Sequence, residues 1–307
     1  MSALGFDTSN YTTSIAFYGE SDTMNCSRLL PVRNGELGLR QSDAVFYHVK
    51  SLPELSGRLF SHLDSSSIDV VGVSTRPRAV EGSYMPCFLV GQAHAEAISQ
   101  LLRVPLFTCS HQQGHIAAAL WSAGRMDLID EPHLAWHLSG GTTELLFVEP
   151  QGKNVQCTKI GGTTDISAGQ LIDRTGVMLG LQFPAGKQLD ALSVSARDKE
   201  TFCAKCPEMS FSLSGLQNKV EKFYSEHPEP AEAAAYALRC ICATILKATG
   251  NALRAYPGLP IVFSGGVASN AMLRSSLEEF APIFAKPEFS TDNAMGVAIL
   301  AARSLEG

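Results

Sequence analysis

The chain has 307 residues and a formal net charge of −6, with 45% hydrophobic and 18% charged residues. This composition is typical of a globular enzyme and excludes the disordered and fibrous classes. The acidic balance also excludes a broad basic face for nucleic acid, so RNA would have to meet a local basic patch or a partner subunit.

Cysteine usage and hydropathy indicate the compartment. Eight cysteines over this length do not form the dense disulfide framework of small secreted domains. We find neither a signal peptide nor an apolar run of about 18 residues. We therefore expect a cytoplasmic protein that makes no contact with a membrane.

The first part of the chain alternates short strands with helices. Strands are predicted at residues 4–7, 14–18, 26–32, 70–73 and 104–107. Helices are predicted at 43–63 and 88–102, where apolar residues recur with helical spacing. A polar turn at 8–13 would join the first two strands as a hairpin.

The pattern then restarts at residue 133. Strands are predicted at 133–138, 144–148 and 259–263, and helices at 168–181, 185–196, 215–225, 228–255, 268–279 and 292–304. Both parts open with a strand, a turn rich in Ser, Thr and Gly, and a second strand. This order predicts a duplicated α/β unit with a cleft between its halves. We expect one domain from 1–125 plus 291–307 and another from 126–290.

Two histidines, His111 and His115, lie four residues apart in the segment 107–118. On a helix this spacing points both side chains the same way, about one turn apart, so that two imidazoles can share a metal ion. Ser110 and Gln113 match the S-x-x-Q capping box, which predicts that a helix begins here and carries the pair in its first turn. Two polar residues on a capped helix are the alternative interpretation.

A third ligand would strengthen the metal hypothesis. Asp292 lies at the start of the last predicted helix, where a carboxylate also interacts favourably with the helix dipole. As a ligand it would complete a His-His-carboxylate set that leaves coordination positions open for substrate.

Three turns that follow apolar strands have the residue types that hold phosphate or sugar groups. They are residues 7–10, 139–143 and 264–270. Glycines let the backbone approach an anion closely, and the third turn opens a helix whose N-terminus favours anions. A hairpin or a helix cap is the alternative for any one of them. Neither a Walker A sequence nor a Rossmann G-x-G-x-x-G is present.

Taken in order, these motifs resemble the TsaD/Gcp family, the threonylcarbamoyl-transferase subunit of tRNA modification, once described as an O-sialoglycoprotein endopeptidase. The resemblance runs through nearly the whole chain. The matching segments are residues 5–9, 110–115, 138–141, 170–175, 183–186, 210–216, 265–270 and 290–293.

The resemblance implies a two-lobed α/β fold of the actin/Hsp70/sugar-kinase (ASKHA) class with a central cleft between the lobes. It also implies a divalent metal, iron or zinc, and an ATP- or AMP-type nucleotide or threonylcarbamoyl-AMP. The implied metal ligands are His111, His115 and Asp292. The implied nucleotide contacts are Thr8, Ser9, Asp173, Gly186, Gly265, Gly266 and Asn270. Ser139, Gly140 and Gly141 would be the catalytic turn.

The implied reaction moves a threonylcarbamoyl group from its AMP anhydride to N6 of an adenosine beside the tRNA anticodon. The metal would act as a Lewis acid on the acyl donor, and the backbone of the turn at Ser139 would stabilise developing negative charge. The resemblance further implies a protein partner of the same fold or a tRNA-modification complex, with tRNA as the acceptor.

Several segments depart from the family's pattern. Residues 10–12 read Asn-Tyr-Thr instead of Cys-Asp-Glu, and 165–170 lack two of that motif's carboxylates. Gln113 replaces a Glu, and Thr142 replaces a His. Residues 76–84, with Arg76 and Arg78, replace a Gly-Pro-Gly loop. These changes remove acid/base groups and make the site less anionic, so we expect a divergent paralogue.

Two alternatives to the transferase follow from these departures and from the older description. The first is a catalytically divergent nucleotide-binding regulatory subunit that acts through a partner. The second is a metallopeptidase. A zinc peptidase usually carries Glu in H-E-x-x-H as its base, whereas Gln112 follows His111 here and the spacing differs.

Overall fold

The computed structural model describes residues 1–9, 11–20, 22–31, 39–290 and 294–306. The chain divides into two compact units. The first comprises Met1–Glu131, Glu149–Cys157 and Asp292–Gly307, and the second Pro132–Val148 and Thr158–Thr291. The expected domains, 1–125 plus 291–307 and 126–290, stay a prediction, because compactness does not test whether each part folds independently.

Strands and helices alternate through the described residues. The strands are β1 Ala3–Ser9, β2 Thr12–Tyr18, β3 Thr23–Leu29, β4 Val70–Arg76, β5 Leu106–Ser110, β6 His133–Leu138, β7 Thr143–Gln151, β8 Asn154–Thr163, β9 Ser210–Phe211, β10 Ile261–Ser264 and β11 Ile283–Phe284. The helices are α1 Gln41–Phe60, α2 Phe88–Leu102, α3 His111–Ser122, α4 Ala168–Met178, α5 Gly186–Ser193, α6 Ser214–Glu226, α7 Pro230–Ala255, α8 Ala271–Ser276 and α9 Met295–Ser304.

The first unit is built on a sheet of order β3-β2-β1-β4-β5. β1 pairs antiparallel with β2 and parallel with β4, which in turn runs parallel to β5. Side chains alternate between the two faces of a strand. Leu4 and Phe6 of β1 therefore pack in a core with leucines of α1, while Ala3 packs with alanines of α9.

Small residues let α9 lie directly on this sheet. A Cβ added to Gly5 would lie 2.6 Å from the carbonyl oxygen of Ala294, and one added to Gly72 would lie 2.8 Å from the Cβ of Ala301. On its other side α9 meets α3, where a Cβ on Gly296 would lie 1.8 Å from the carbonyl oxygen of Gly114. The helix is thus held between β1, β4 and α3 by backbone contact.

The second unit is built on a sheet of order β11-β10-β6-β7-β8-β9. β6 pairs antiparallel with β7 and parallel with β10. Trp136 of β6 is fully buried and donates from Nε1 to Thr249 Oγ1 of α7 at 2.9 Å. This bond satisfies the indole N–H within a large apolar core that α4 to α8 share.

The structure corrects the bounds of two predicted elements and adds a strand that was not predicted. The predicted hairpin is present, with β1 antiparallel to β2, but the bounds of its turn at 8–13 are wrong, because β1 extends to Ser9 and β2 begins at Thr12. The helix at 268–279 is also wrong, because Asn270 accepts from Leu273 N and starts the short helix α8 after a 3-10 turn over Gly266–Ser269. Strand β8 was not predicted, because its outward positions are polar and only Val155 and its last glycines are buried.

No helix in the described parts of the chain is long and apolar enough to cross a membrane.

Candidate functional site

The helix α3 begins at His111, as the capping box predicts. The Ser110 hydroxyl accepts from Gln113 N at 3.2 Å, and Gln113 Oε1 accepts from Ser110 N at 2.8 Å. Gln113 is buried, and its Nε2 donates to the carbonyl of Val155 at 2.6 Å. Its amide is therefore fully used by the fold, both as acceptor and as donor.

The two predicted metal histidines face each other. His111 Nε2 lies 3.0 Å from His115 Nε2, with ring centroids 4.3 Å apart. His111 is 18% exposed at its side chain, while His115 is 5% exposed. The pair therefore lies at the surface of the unit on one side and in its interior on the other.

A buried carboxylate orients this pair. Asp7 lies in β1 with no exposed surface, and its Oδ2 is 2.9 Å from His111 Nδ1. Its Oδ1 accepts a hydrogen bond from the Ser74 hydroxyl of the neighbouring strand β4. We call Asp7, Ser74, His111 and His115 the histidine site. It lies where β1, β4 and β5 reach their carboxyl ends.

The chemistry of the histidine site fits a divalent metal. Two nitrogen ligands of one ion, each about 2.0–2.1 Å from it, lie roughly 3 Å apart at the usual angles. A ligating histidine also commonly donates the N–H of its other ring nitrogen to a carboxylate, and His111 Nδ1 lies 2.9 Å from Asp7 Oδ2. The predicted third ligand, Asp292, lies outside the described residues. Among those that are described, no three His, Cys, Asp or Glu side chains are grouped to hold a metal ion.

Thr8 and Ser9 lie in the same strand as Asp7, and both are buried. The Thr8 hydroxyl donates to the carbonyl of Cys87 and accepts from Gly91 N, each at 3.0 Å. Since its hydroxyl joins β1 to α2, any contact of Thr8 with a nucleotide would have to use its backbone.

A positively charged loop follows β4 and meets the start of α3. Arg76 pairs in register with Ser110, and the carbonyl of Pro77 accepts from Gln112 N at 3.0 Å. Arg76 and Arg78 are both exposed. The loop that we predicted to add positive charge therefore lies beside the first turn of the histidine helix.

In the second unit, the turn after β6 is open to solvent. Ser139 N donates to the carbonyl of Thr142 at 2.8 Å, which closes a two-residue turn of Gly140 and Gly141. A Cβ on either glycine would meet no atom within 4 Å. The Ser167 hydroxyl donates to the carbonyl of Gly140 at 2.6 Å and ties the turn to the start of α4. We call residues 139–141 the serine-glycine turn.

The turn after β10 lies next to it. β6 and β10 are parallel with His137 opposite Ser264, so both strands end at the same edge of the sheet. Gly265 has φ 94°, a conformation that favours glycine, and an added Cβ would lie 2.2 Å from the carbonyl oxygen of Leu138. The structure therefore brings Gly265 and Gly266 together with the serine-glycine turn.

The remaining predicted nucleotide contacts surround the helix α5. Asp173 Oδ1 accepts from Ala185 N at 2.8 Å, beside Gly186, the first residue of α5. Burial raises the pKa of Asp173, and the bond from Ala185 opposes this effect. Asn270 donates to Asp190 of the same helix at 2.8 Å. Asp190 therefore belongs to this group, although no sequence pattern predicted it.

Asp165 is a second residue whose role the sequence did not predict. Burial alone would raise its pKa, but bonds from the hydroxyls of Ser212 and Ser214 and from the backbone of Leu213 and Ser214 hold it well below the ordinary value. These bonds fasten the serine-rich loop at 210–216 to the residues before α4. A short Ser-x-Ser segment before a helix was the available signal.

The predicted site residues thus form two groups, one in each unit. His111 and His115 lie with Thr8 and Ser9 in the first unit. The catalytic turn and the other nucleotide positions lie in the second unit; they are Ser139, Gly140, Gly141, Asp173, Gly186, Gly265, Gly266 and Asn270.

Solved structures of similar shape give the class of fold. HypF in a phosphate- and nucleotide-bound form matches with a TM-score of 0.61 and 16% identity, over 100% of this chain and 47% of HypF, so the chain spans about half of HypF. Component A of the Acidaminococcus fermentans (R)-2-hydroxyglutaryl-CoA dehydratase matches at 0.57 and 15% identity, over 99% and 98% of the two chains. A ROK family glucokinase from Streptomyces griseus matches at 0.55 and 11% identity, over 99% and 100%. The protein therefore has the mixed α/β fold of the sugar-kinase class, as predicted.

Sequence comparison gives the family. The family model described as TsaD, tRNA N6-adenosine threonylcarbamoyltransferase, matches residues 38–299. A protein of that name from Streptococcus uberis is 31% identical over 259 residues, 80% of this chain and 73% of the relative. Another from Thermosipho africanus is 27% identical over 97% of this chain and 93% of the relative. The chain belongs to the tRNA N6-adenosine threonylcarbamoyltransferase family, which confirms the resemblance and the assignment to acyl-transferring enzymes.

Proposed function

We propose that this protein transfers a threonylcarbamoyl group from its AMP anhydride to N6 of an adenosine beside the tRNA anticodon. The observation that carries this proposal is the geometry of the histidine site, in a chain of this family. Two imidazoles face each other at 3.0 Å, and a buried carboxylate holds one of them from behind. Such a donor set suits a cation that binds an acyl donor.

In this function His111 and His115, with Asp292, hold one divalent ion, iron or zinc. When bound, the ion supplies a Lewis acid that polarises the donor's oxygen. The chain's own contribution is to fix the positions of the histidine nitrogens that would bind the ion. The capping box anchors the first turn of α3, and the 18% exposure of His111 leaves an approach from solvent.

The serine-glycine turn would stabilise the negative charge that develops on the carbamoyl oxygen. Backbone N–H groups in a preformed turn are well suited to this, because they need no rearrangement during the reaction. Support comes from the open space in front of Gly140 and Gly141 and from the bond that Ser167 makes behind them. The amine N6 then attacks the carbamoyl carbon and forms the new N–C bond. The C–O bond to AMP breaks with its electron pair leaving on the phosphate, and the proton of N6 passes to solvent.

The nucleotide part of the donor would be held by residues of the second unit. Gly265 and Gly266 let the backbone approach a phosphate or sugar closely. Asp173, Gly186 and Asn270 surround the start of α5, where an adenosine could be bound by carboxylate and amide groups. In the first unit, the backbone of Thr8 and Ser9 would contribute from the end of β1.

The charge of the chain bears on how the tRNA acceptor would be bound. Because the whole chain is acidic, with a net charge of −6, tRNA needs a local basic surface. Arg76 and Arg78, exposed beside the start of α3, provide part of it. A protein partner of the same fold within a tRNA-modification complex would supply the remainder.

The test is transfer of labelled threonine from threonylcarbamoyl-AMP to tRNA, with the partner proteins of such a complex added. The wild type should transfer label, and His111→Ala should abolish both transfer and stoichiometric metal while keeping its fold. His62→Ala, which changes an exposed histidine of the same unit, is the matched control. Transfer at the wild-type rate by His111→Ala, or metal retained in it by elemental analysis, would overturn the assignment of the site.

A further inference from the structure

We infer that Asp7 and Ser74 are positioning residues that lock the imidazole of His111 with its hydrogen on Nδ1, so that the Nε2 lone pair is always presented to a divalent cation. The inference deepens the proposed function and rests on it for the identity of the ligand. It assigns to β1 and β4 a part in cation binding that the helix motif does not contain.

The chemistry of the carboxylate determines where the hydrogen between Asp7 and His111 lies. An ionised carboxylate accepts hydrogen bonds and cannot donate them. Asp7 Oδ2 lies 2.9 Å from His111 Nδ1, so the hydrogen between them belongs to the imidazole. In the neutral ring this leaves Nε2 without hydrogen, and its lone pair is directed along the ring plane.

The second step is the orientation of the carboxylate itself. The Ser74 hydroxyl donates to Asp7 Oδ1, so each oxygen of the carboxylate has its own donor. Ser74 and Asp7 lie on adjacent parallel strands, and both are fully buried. Rotation of the carboxylate would break both bonds at once, and therefore the lock is a property of the sheet and not of a flexible surface side chain.

The third step concerns the second imidazole. His115 Nε2 lies 3.0 Å from His111 Nε2. Because Nε2 of His111 carries no hydrogen, it accepts in this contact. When no cation is present, the hydrogen between the two rings therefore lies on Nε2 of His115. His115 must therefore lose that hydrogen from Nε2 when a cation is bound, whereas His111 is already in its binding form.

The burial of the Asp7 carboxylate supports a role for this residue beyond packing. A carboxylate with no exposed surface is costly to keep in a protein interior unless it is paired and hydrogen-bonded. The neighbouring residues on the same face of β1 are Ala3 and Gly5, which allow close packing against α9. An apolar residue at position 7 would continue that packing, whereas a carboxylate there accepts a hydrogen bond from the imidazole and holds it in one tautomer.

The experiment uses the full-length protein with uniformly ¹⁵N-labelled histidine, in two arms. In metal-free protein, the ¹⁵N shifts of His111 report its tautomer. With zinc as the probe, competition against a chromophoric chelator reports affinity. The variants are Asp7→Asn and Ser74→Ala. The controls are Asp69→Asn, which changes an exposed carboxylate of the same unit, and Ser14→Ala, whose hydroxyl donates to the backbone carbonyl of Asp7 and not to its carboxylate.

We expect His111 to carry its hydrogen on Nδ1 in the wild type and in both controls. In Asp7→Asn the tautomers should mix, and zinc affinity should fall by roughly 10- to 100-fold, as for other partners behind metal ligands. Ser74→Ala should weaken zinc binding less, by about tenfold at most. The controls should bind zinc like the wild type.

The two arms separate the failure of this inference from failure of the proposed function. A wild-type His111 with its hydrogen on Nε2, or zinc affinity unchanged in a folded Asp7→Asn variant, overturns the lock. A wild type that shows the Nδ1 tautomer but binds no zinc supports the lock and overturns the metal part of the proposed function. Circular dichroism of each variant establishes that a loss of affinity is not a loss of fold.

Discussion

The contact between α9 and α3 gives the sharpest prediction for stability. A Cβ on Gly296 would lie 1.8 Å from the carbonyl oxygen of Gly114, which sits on α3 between the two histidines, and 2.8 Å from Ala118 N. Ordinary contacts of a Cβ are 3.4–4 Å. In Gly296→Ala, α9 would therefore have to move away from α3 by roughly 1.5 Å, and no rotamer change can relieve an overlap between backbone atoms.

The expected cost follows from two opposing terms. Overpacking of a close contact costs about 1–3 kcal/mol, and backbone atoms place this case in the upper part of that range. In the opposite direction, alanine in a helix interior stabilises the folded protein by about 0.5–1 kcal/mol relative to glycine. The net loss in the free energy of unfolding should be about 2 kcal/mol. Asp292, the third metal ligand in the proposed function, precedes α9 in the chain, so a displaced α9 should lower the metal content as well.

Urea unfolding followed by circular dichroism, with elemental analysis of the purified variant, measures both effects. Gly57→Ala is the control, since a Cβ at this helical glycine of α1 meets no atom within 4 Å. It should stabilise the protein by about 0.5–1 kcal/mol. A Gly296→Ala protein as stable as the wild type would refute the account of how α9 is held.

Three further predictions concern buried or hydrogen-bonded polar groups. Gln113→Glu would set a carboxylate against the carbonyl oxygen of Val155 and should lower the free energy of unfolding in urea by about 1–3 kcal/mol. The control Gln151→Glu changes an exposed residue and should leave the free energy of unfolding unchanged. Asp165→Asn should cost about 1 kcal/mol near neutral pH, after allowance for solvent screening. Hydrogen bonds hold the pKa of Asp165 in the folded protein below its value in the unfolded chain. The difference in stability between wild type and Asp165→Asn should therefore vanish as the pH falls through the acidic range. A difference that stays constant with pH would contradict this account. Burial lowers the pKa of His48 in the folded protein, so the unfolded protein takes up a proton at His48 first as the pH falls below about 6.5. The wild type should therefore lose stability from pH 7 to 5. An equally steep loss in His48→Gln would argue against this cause.

Local signals predicted local structure well. The S-x-x-Q pattern gave the first residue of α3 because the capping bonds join residues three apart. The same reasoning gave the paired orientation of His111 and His115, since four residues make about one turn. The strand-turn-strand openings at β1–β2 and β6–β7 were likewise predicted by short-range alternation.

Long-range contacts could not be predicted in this way. Asp7 and His111 are separated by 104 residues, and Ser212 lies 47 residues from Asp165. Such pairs meet only because of strand order and helix placement, which periodicity does not contain. The bounds of the turn expected at 8–13 were wrong for the same reason. Thr8 is polar, but its hydroxyl is used to join β1 to α2 inside the protein.

The place of α9 in the first unit has a consequence for biosynthesis. Its contacts with β1 and β4 join α9 to strands that are synthesised long before it. The second unit, with the core around Trp136, is complete before α9 leaves the ribosome. The face of the first sheet that carries Gly5 and Gly72 is therefore covered only after α9 has been synthesised.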